Sequence, residues 1–135
     1  MRTDLRHQLF ELLDESPKKI FTVRGGDTAN AFQVLMEKSR PFFVKEVSSG
    51  SPFQAEALGL QKLHCPNGVR VPQVVGWSEK FLVLEWIAFS PPPANFQKTF
   101  GEKLAITHLT CRSERYGFCE DHMIGGTPQK NLPEI

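Results

Sequence analysis

Phe42-Phe43-Val44-Lys45-Glu46-Val47, followed by Ser51-Pro52-Phe53-Gln54-Ala55-Glu56-Ala57-Leu58-Gly59-Leu60, decides the fold. The first run reads as a strand, and its alternation puts Phe43, Lys45 and Val47 on one face. The second opens with an N-cap Ser, a Pro at the first helical position and a Gln at the third, a capping box that starts a helix. That helix is predicted to run to about His64, where Pro66, Asn67 and Gly68 end it. Phe53, Glu56, Leu60 and Leu63 recur at spacings of three and four, so one stripe of the helix carries them all. A lysine thus stands on an apolar strand face and a glutamate, eleven positions later, on an apolar helix stripe. Each charge would be costly to bury alone, and pairing them removes most of that cost.

Outward from this pair, the chain reads as helix, three strands, helix, two strands, helix and a polar tail. Leu5, Leu9, Leu12 and Leu13 recur at helical spacing after Thr3 and Asp4, which suit an N-cap, and Pro17 closes the segment. Alternating runs at residues 19–24 and 30–37 flank Gly25-Gly26-Asp27-Thr28-Ala29, and with residues 42–47 they form an antiparallel meander. Two more strands are expected at residues 73–77 and 81–87. Ser90-Pro91-Pro92-Pro93 is a semi-rigid linker. It divides the chain into residues 1–88, a linker at 89–95, and 96–135. A last helix from Asn95 to about Thr110 carries Phe96, Phe100 and Leu104 on one side, less cleanly joined by Thr107 and His108. Residues 111–135 show no period.

Composition narrows the function classes. Sixteen Lys and Arg against fifteen Asp and Glu give a net charge of +1 without a basic run, which argues against nucleic acid or an anionic membrane as partner. The longest apolar stretch, Phe81 to Phe89, is interrupted by Glu85 and is too short to span a bilayer. No signal-peptide pattern opens the chain. Cys65, Cys111 and Cys119 are odd in number and lack CxxC spacing, so neither a disulfide framework nor a zinc site is expected, and a reducing cytoplasm is the simplest setting. His108, His122, Cys111 and Cys119 fit no common zinc spacing. His108 is expected to be a satisfied structural histidine.

Taken singly, the central features have ordinary readings. A strand lysine is commonly solvated or guards a sheet edge, a helix glutamate commonly lies at the margin of its stripe, and Gly25-Gly26 suits any β-turn. Their order is what carries information. A glycine turn over nucleotide phosphates, a strand lysine that pairs with them and a helix glutamate that orients the lysine form the phosphate grip of a kinase. In that arrangement Phe81 to Ile87 runs into the hinge, where the carbonyl of Glu85 and the N–H of Ile87 are the candidate adenine partners.

Several segments, in order, resemble the fructosamine (ketosamine) kinases, whose fold is of the aminoglycoside-phosphotransferase, protein-kinase-like type. They are the Gly25-Gly26-Asp27 turn, Phe42-Phe43-Val44-Lys45, Phe53 to Leu60, Val71-Pro72-Gln73-Val74, Phe81 to Ile87, and Leu104-Ala105 with His108. Most specific is Tyr116-Gly117-Phe118 leading into Ile124-Gly125-Gly126-Thr127-Pro128-Gln129, which protein kinases in general lack. The resemblance covers nearly all of residues 18–131. It implies an α+β fold: a kinase-like N-terminal lobe with a five-stranded antiparallel sheet, plus the first helix and loop of a C-terminal lobe. It also implies ATP-dependent phosphorylation, with Mg²⁺, of the sugar of a glycated lysine or similar ketosamine, so that the adduct is released. On this resemblance Lys45 holds the α/β-phosphates, Glu56 anchors Lys45, Gly25 and Gly26 lie over the phosphates, and Glu85, Trp86 and Ile87 form the adenine hinge.

One departure bears on mechanism. Family members are roughly twice this length, and their second half carries a His-Gly-Asp loop and a further metal-binding Asp. Here the aspartates are Asp4, Asp14, Asp27 and Asp121, none in such a context. Phosphoryl transfer needs Mg²⁺ ligands and a positioned base, so this chain is expected to be truncated and inactive alone, with no catalytic residue beyond the supporting Lys45 and Glu56. Two alternatives remain: a non-enzymatic binding or dimerising module, and a fragment of a kinase for an aminoglycoside or choline-like substrate. Self-association is expected from the apolar side of the last helix.

Overall fold

The computed structural model describes residues 2–24, 29–47, 53–114 and 117–131. In chain order the elements are α1 (Arg2–Leu13), β1 (Pro17–Val23), β2 (Asn30–Met36), β3 (Phe42–Glu46), α2 (Phe53–Leu63), β4 (Val74–Trp77), β5 (Phe81–Glu85), α3 (Phe96–Thr110), β6 (His122–Ile124) and β7 (Thr127–Gln129). Strands β1 to β5 form one sheet in the order β1-β2-β3-β5-β4, and every neighbouring pair is antiparallel.

The sheet is clad on both faces because its central strands are apolar on both. One face gathers Phe32, Val34, Phe42, Val44, Phe81 and Val83 against Leu5 and Leu9 of α1. The opposite face gathers Leu82 and Leu84, with Phe43 and Val47 beside them, against Phe53 and Ala57 of α2. The period of two in β3 therefore sends Val44 to the α1 side and Lys45 to the α2 side. Unbroken burial from Phe81 to Leu84 marks β5 as an interior strand covered on both faces.

Element ends depart from the sequence expectations for local reasons. Helix α1 already includes Thr3 and Asp4, so neither caps it. It closes at Asp14, which adopts a left-handed φ of 51° and donates its N–H to the Phe10 carbonyl, while Pro17 opens β1 instead of ending the helix. A proline is tolerated there because β1 is an edge strand. Strand β5 stops at Glu85, short of Ile87, since Glu85 pairs with Phe42 and the next partner would be Pro41, which has no N–H to continue the ladder. The α2 stripe also shifts. Phe53, Ala55 and Ala57 are its buried residues, Glu56 is partly exposed, and Leu63 lies outside at 47% exposure. The proposed cap at Ser51 and Pro52 falls outside the described residues.

Beyond Trp86 the chain runs without helix or strand to α3, of which Thr107 is the buried residue. Residues 122–129, expected to be irregular, form the β6–β7 hairpin, with Gly125 at a φ of 58° in its turn. Two three-residue strands, one holding Pro128, are too short to show a period.

Candidate functional site

Lys45 sits in the middle of the sheet, between Ala31 of β2 and Leu82 of β5. This is no edge position, so the edge-guard reading does not apply. Its side chain is held by Glu56, whose two carboxylate oxygens accept from Nζ at 2.9 and 2.7 Å. Phe53, one turn earlier on α2, lays its ring 5.8 Å from the ammonium. The pair is only partly desolvated, with side-chain exposures of 27% for Lys45 and 38% for Glu56. Such a pair adds about 0–1 kcal/mol to stability. Its consequence is geometric: an ammonium held at one point beside the sheet, open to solvent and to a ligand.

At the other end of this face, Trp86 stacks on Phe43 with ring centroids 6.4 Å apart. Trp86 and Ile87, with Ile87 40% exposed, follow directly on β5. Lys45 and the chain leaving β5 thus border the same side of the sheet. Gly25 and Gly26, the third part of the expected grip, fall outside the described residues.

Around Glu85 the structure adds contacts that sequence spacing did not suggest. Its carboxylate accepts from Arg70 Nη2 at 2.7 Å and from the Gln73 N–H at 3.3 Å, and it lies 3.8 Å from Arg40 Nη1. The Arg70 guanidinium and the Gln73 amide hold this carboxyl below the usual carboxylate range. The partners lie 12 to 45 positions away along the chain, and no local periodicity announces them.

A second cluster closes the segment after α3. The Asn131 side-chain amide donates to the Glu120 carbonyl at 3.0 Å and meets His122 Nδ1 at 2.7 Å, while the Asn131 N–H donates to Asp121 at 2.6 Å. Gly117, at a φ of 85°, lies against Asn131. The loop so formed touches α2. A Cβ at Gly59 would meet the Phe118 ring at 3.7 Å, and Gln54 donates to Glu120 at 3.4 Å. Between α2 and this segment lies a cavity of about 800 Å³ bordered by Glu56, Leu60, Cys111, Phe118 and His122. In it, desolvation and the neighbouring Cys65 thiol push the Cys111 thiol up. His108, expected to be structural, is exposed on α3.

The sequence and the fold, an antiparallel five-stranded sheet with its helices, have counterparts in known proteins. The family model described as fructosamine kinase matches residues 1–134. The chain belongs to the fructosamine kinase family. Among curated relatives, a protein-ribulosamine 3-kinase of Oryza sativa is 36% identical over 115 residues, which are 79% of this chain and 33% of that protein. A probable ketoamine kinase of Synechocystis is 32% identical over 112 residues, 78% of this chain and 38% of the relative. The crystal structure of a candidate fructosamine-3-kinase from Thermobifida fusca superposes with a TM-score of 0.84 at 31% identity, covering 96% of this chain and 46% of that one. This member of the fructosamine kinase family therefore has the α+β fold of a kinase-like N-terminal lobe. It spans about a third to two fifths of the length of the curated relatives it matches. Among the described residues no helix is long and apolar enough to cross a membrane.

Proposed function

We propose that this chain is the ATP-holding half of a kinase that phosphorylates the sugar of a glycated amine, such as a ketosamine on lysine, so that the adduct is removed. The observation that carries the reading is the two-oxygen grip of Glu56 on Lys45 at the centre of the sheet. Lys45 meets the α/β-phosphates and Glu56 keeps the ammonium aimed at them. The backbone from Glu85 to Ile87, with Trp86 stacked on Phe43, receives the adenine. Gly25 and Gly26 cover the phosphates with backbone N–H groups. Residues 1–88 form the nucleotide lobe, 89–95 the linker, and 96–135 the start of a second lobe; the setting is cytoplasmic.

Mg²⁺, carried with ATP, would neutralise phosphate charge. The residues described here do not supply its site. Asp14 ends α1, on the face of the sheet away from Lys45, and Asp121 accepts from the Asn131 N–H. With no positioned base or metal-binding aspartate among the described residues, the 135-residue chain is proposed to be inactive by itself.

Calorimetry with ATP and Mg²⁺ tests the reading. Wild type binds, and Lys45→Ala loses most of the affinity. Incubated with ATP, Mg²⁺ and a fructosamine-bearing lysine, the chain alone yields no phosphorylated product. Wild type that fails to bind ATP, or turnover that disappears in Lys45→Ala, would overturn the corresponding part.

A further inference from the structure

Glu85 faces away from the lysine. It pairs across the strands with Phe42, which lies on the α1 face, whereas Lys45 and Phe43 lie on the α2 face. Its carboxylate therefore cannot touch a ligand held at Lys45. It is nonetheless sequestered, at 17% side-chain exposure, among groups from two other segments: Arg40 from the β2–β3 turn, and Arg70 and Gln73 from the connection between α2 and β4. The arrangement closes on itself. Glu85 N–H donates to the Gln73 carbonyl at 2.8 Å, and Arg40 Nη2 donates to the Gln73 side-chain oxygen at 2.9 Å. The next residue, Trp86, is fixed on the opposite face by Phe43. Two successive residues thus clamp the exit of β5 from both sides of the sheet.

We infer that Glu85, through Arg70, Arg40 and Gln73, is the positioning residue that sets where the adenine-receiving backbone of residues 85–87 stands. This deepens the nucleotide reading above and rests on it. The carboxylate acts on the base end of the nucleotide only. Lys45 and Glu56 act on the phosphate end, so the two ends are separable by probe.

The test uses the 135-residue chain with two probes, ATP and inorganic tripolyphosphate, measured by calorimetry for wild type, Glu85→Gln and Arg70→Gln. Loss of a charge-assisted contact at Glu85 weakens ATP binding on the order of tenfold while tripolyphosphate binding stays within about twofold. Arg70→Gln, a change at a largely exposed side chain, moves ATP affinity in the same direction and serves should Glu85→Gln fold poorly. The double swap Glu85→Arg with Arg70→Glu restores part of the ATP affinity. If wild type binds ATP and both single variants match it, the positioning role is wrong while the nucleotide reading stands. Equal losses for the two probes would reduce Glu85 to a general stability contact and overturn the inference. Wild type that binds neither probe overturns the nucleotide reading and the inference with it.

Discussion

The Thr107 hydroxyl accepts the Val69 N–H at 2.9 Å and donates to the Lys103 carbonyl at 3.1 Å. This bond ties α3 to the connection between α2 and β4, and Thr107 is 5% exposed. Closure is tight, because a Cβ at Gly68 would come within 2.3 Å of Cys65 Sγ and 2.5 Å of Thr107 Oγ1. Gly68→Ala should therefore force the hydroxyl off Val69, at a cost of about 1–3 kcal/mol. Thr107→Val should cost about 1 kcal/mol by leaving the Val69 N–H without its acceptor, and Thr107→Ser less. Urea denaturation measures all three. A neutral Gly68→Ala would show that the contact yields freely.

Lys45 and Glu56 make a different prediction, because their pair is partly open to solvent. Glu56→Gln should change folding stability by less than about 1 kcal/mol yet lower ATP affinity clearly. Thermal melts and calorimetry on one preparation check this. A variant that melts far earlier while binding ATP normally would make the pair structural.

Acid should act through Glu85. Its folded carboxyl is held low by Arg70 and the Gln73 amide, so its contribution is present above the unfolded carboxylate pKa of about 4.3 and is lost as pH falls through the folded value. Glu15, held low by the Lys38 and Ser39 N–H groups, adds in the same direction. Urea midpoints should fall between about pH 5 and pH 3 in wild type and fall less steeply in Glu85→Gln. Parallel curves would remove Glu85 as a contributor.

Helix α3 presents Phe96, Phe100 and Leu104 at exposures of 48%, 42% and 37%, the first two stacked 5.8 Å apart. Each such side chain gains roughly 1.5–3 kcal/mol on full burial, so the isolated chain should self-associate. Sedimentation velocity at rising concentration should show a dimer or larger species, diminished in Phe100→Ser. A strictly monomeric chain at high micromolar concentration would refute this.

How much was legible in the sequence follows from range. The strand alternation around Lys45 and the helical spacing from Phe53 lie within a few residues of each other, and they placed Lys45 and Glu56 correctly. The same local logic misjudged Leu63, because neighbouring elements decide which part of an apolar stripe is covered. Thr107 looked a poorer core residue than Phe96 or Phe100, yet its hydroxyl meets a backbone N–H from 38 positions earlier. The arginines around Glu85 and the Asn131 clasp were illegible for the same reason: hydrogen bonds between distant segments leave no period. Gly25 and Gly26 fall outside the described residues, so their part rests on the sequence.

The cladding of one sheet by α1 on one side and α2 on the other divides selection between adjacent codons. Val44 answers to the fold through Leu5, Leu9 and their neighbours, whereas Lys45, on the proposed reading, answers to nucleotide binding through Glu56. A saturation library scored separately for protein abundance and for ATP capture should split along that line. Changes at residues 32, 34, 44 and 83 should register in the first score, and changes other than proline at 45 and 56 mainly in the second. A lineage that abandoned nucleotide binding would then keep the α1 face nearly intact while position 45 drifted. The ratio of change at Val44 to change at Lys45 would serve as a record of whether a descendant still binds the proposed nucleotide.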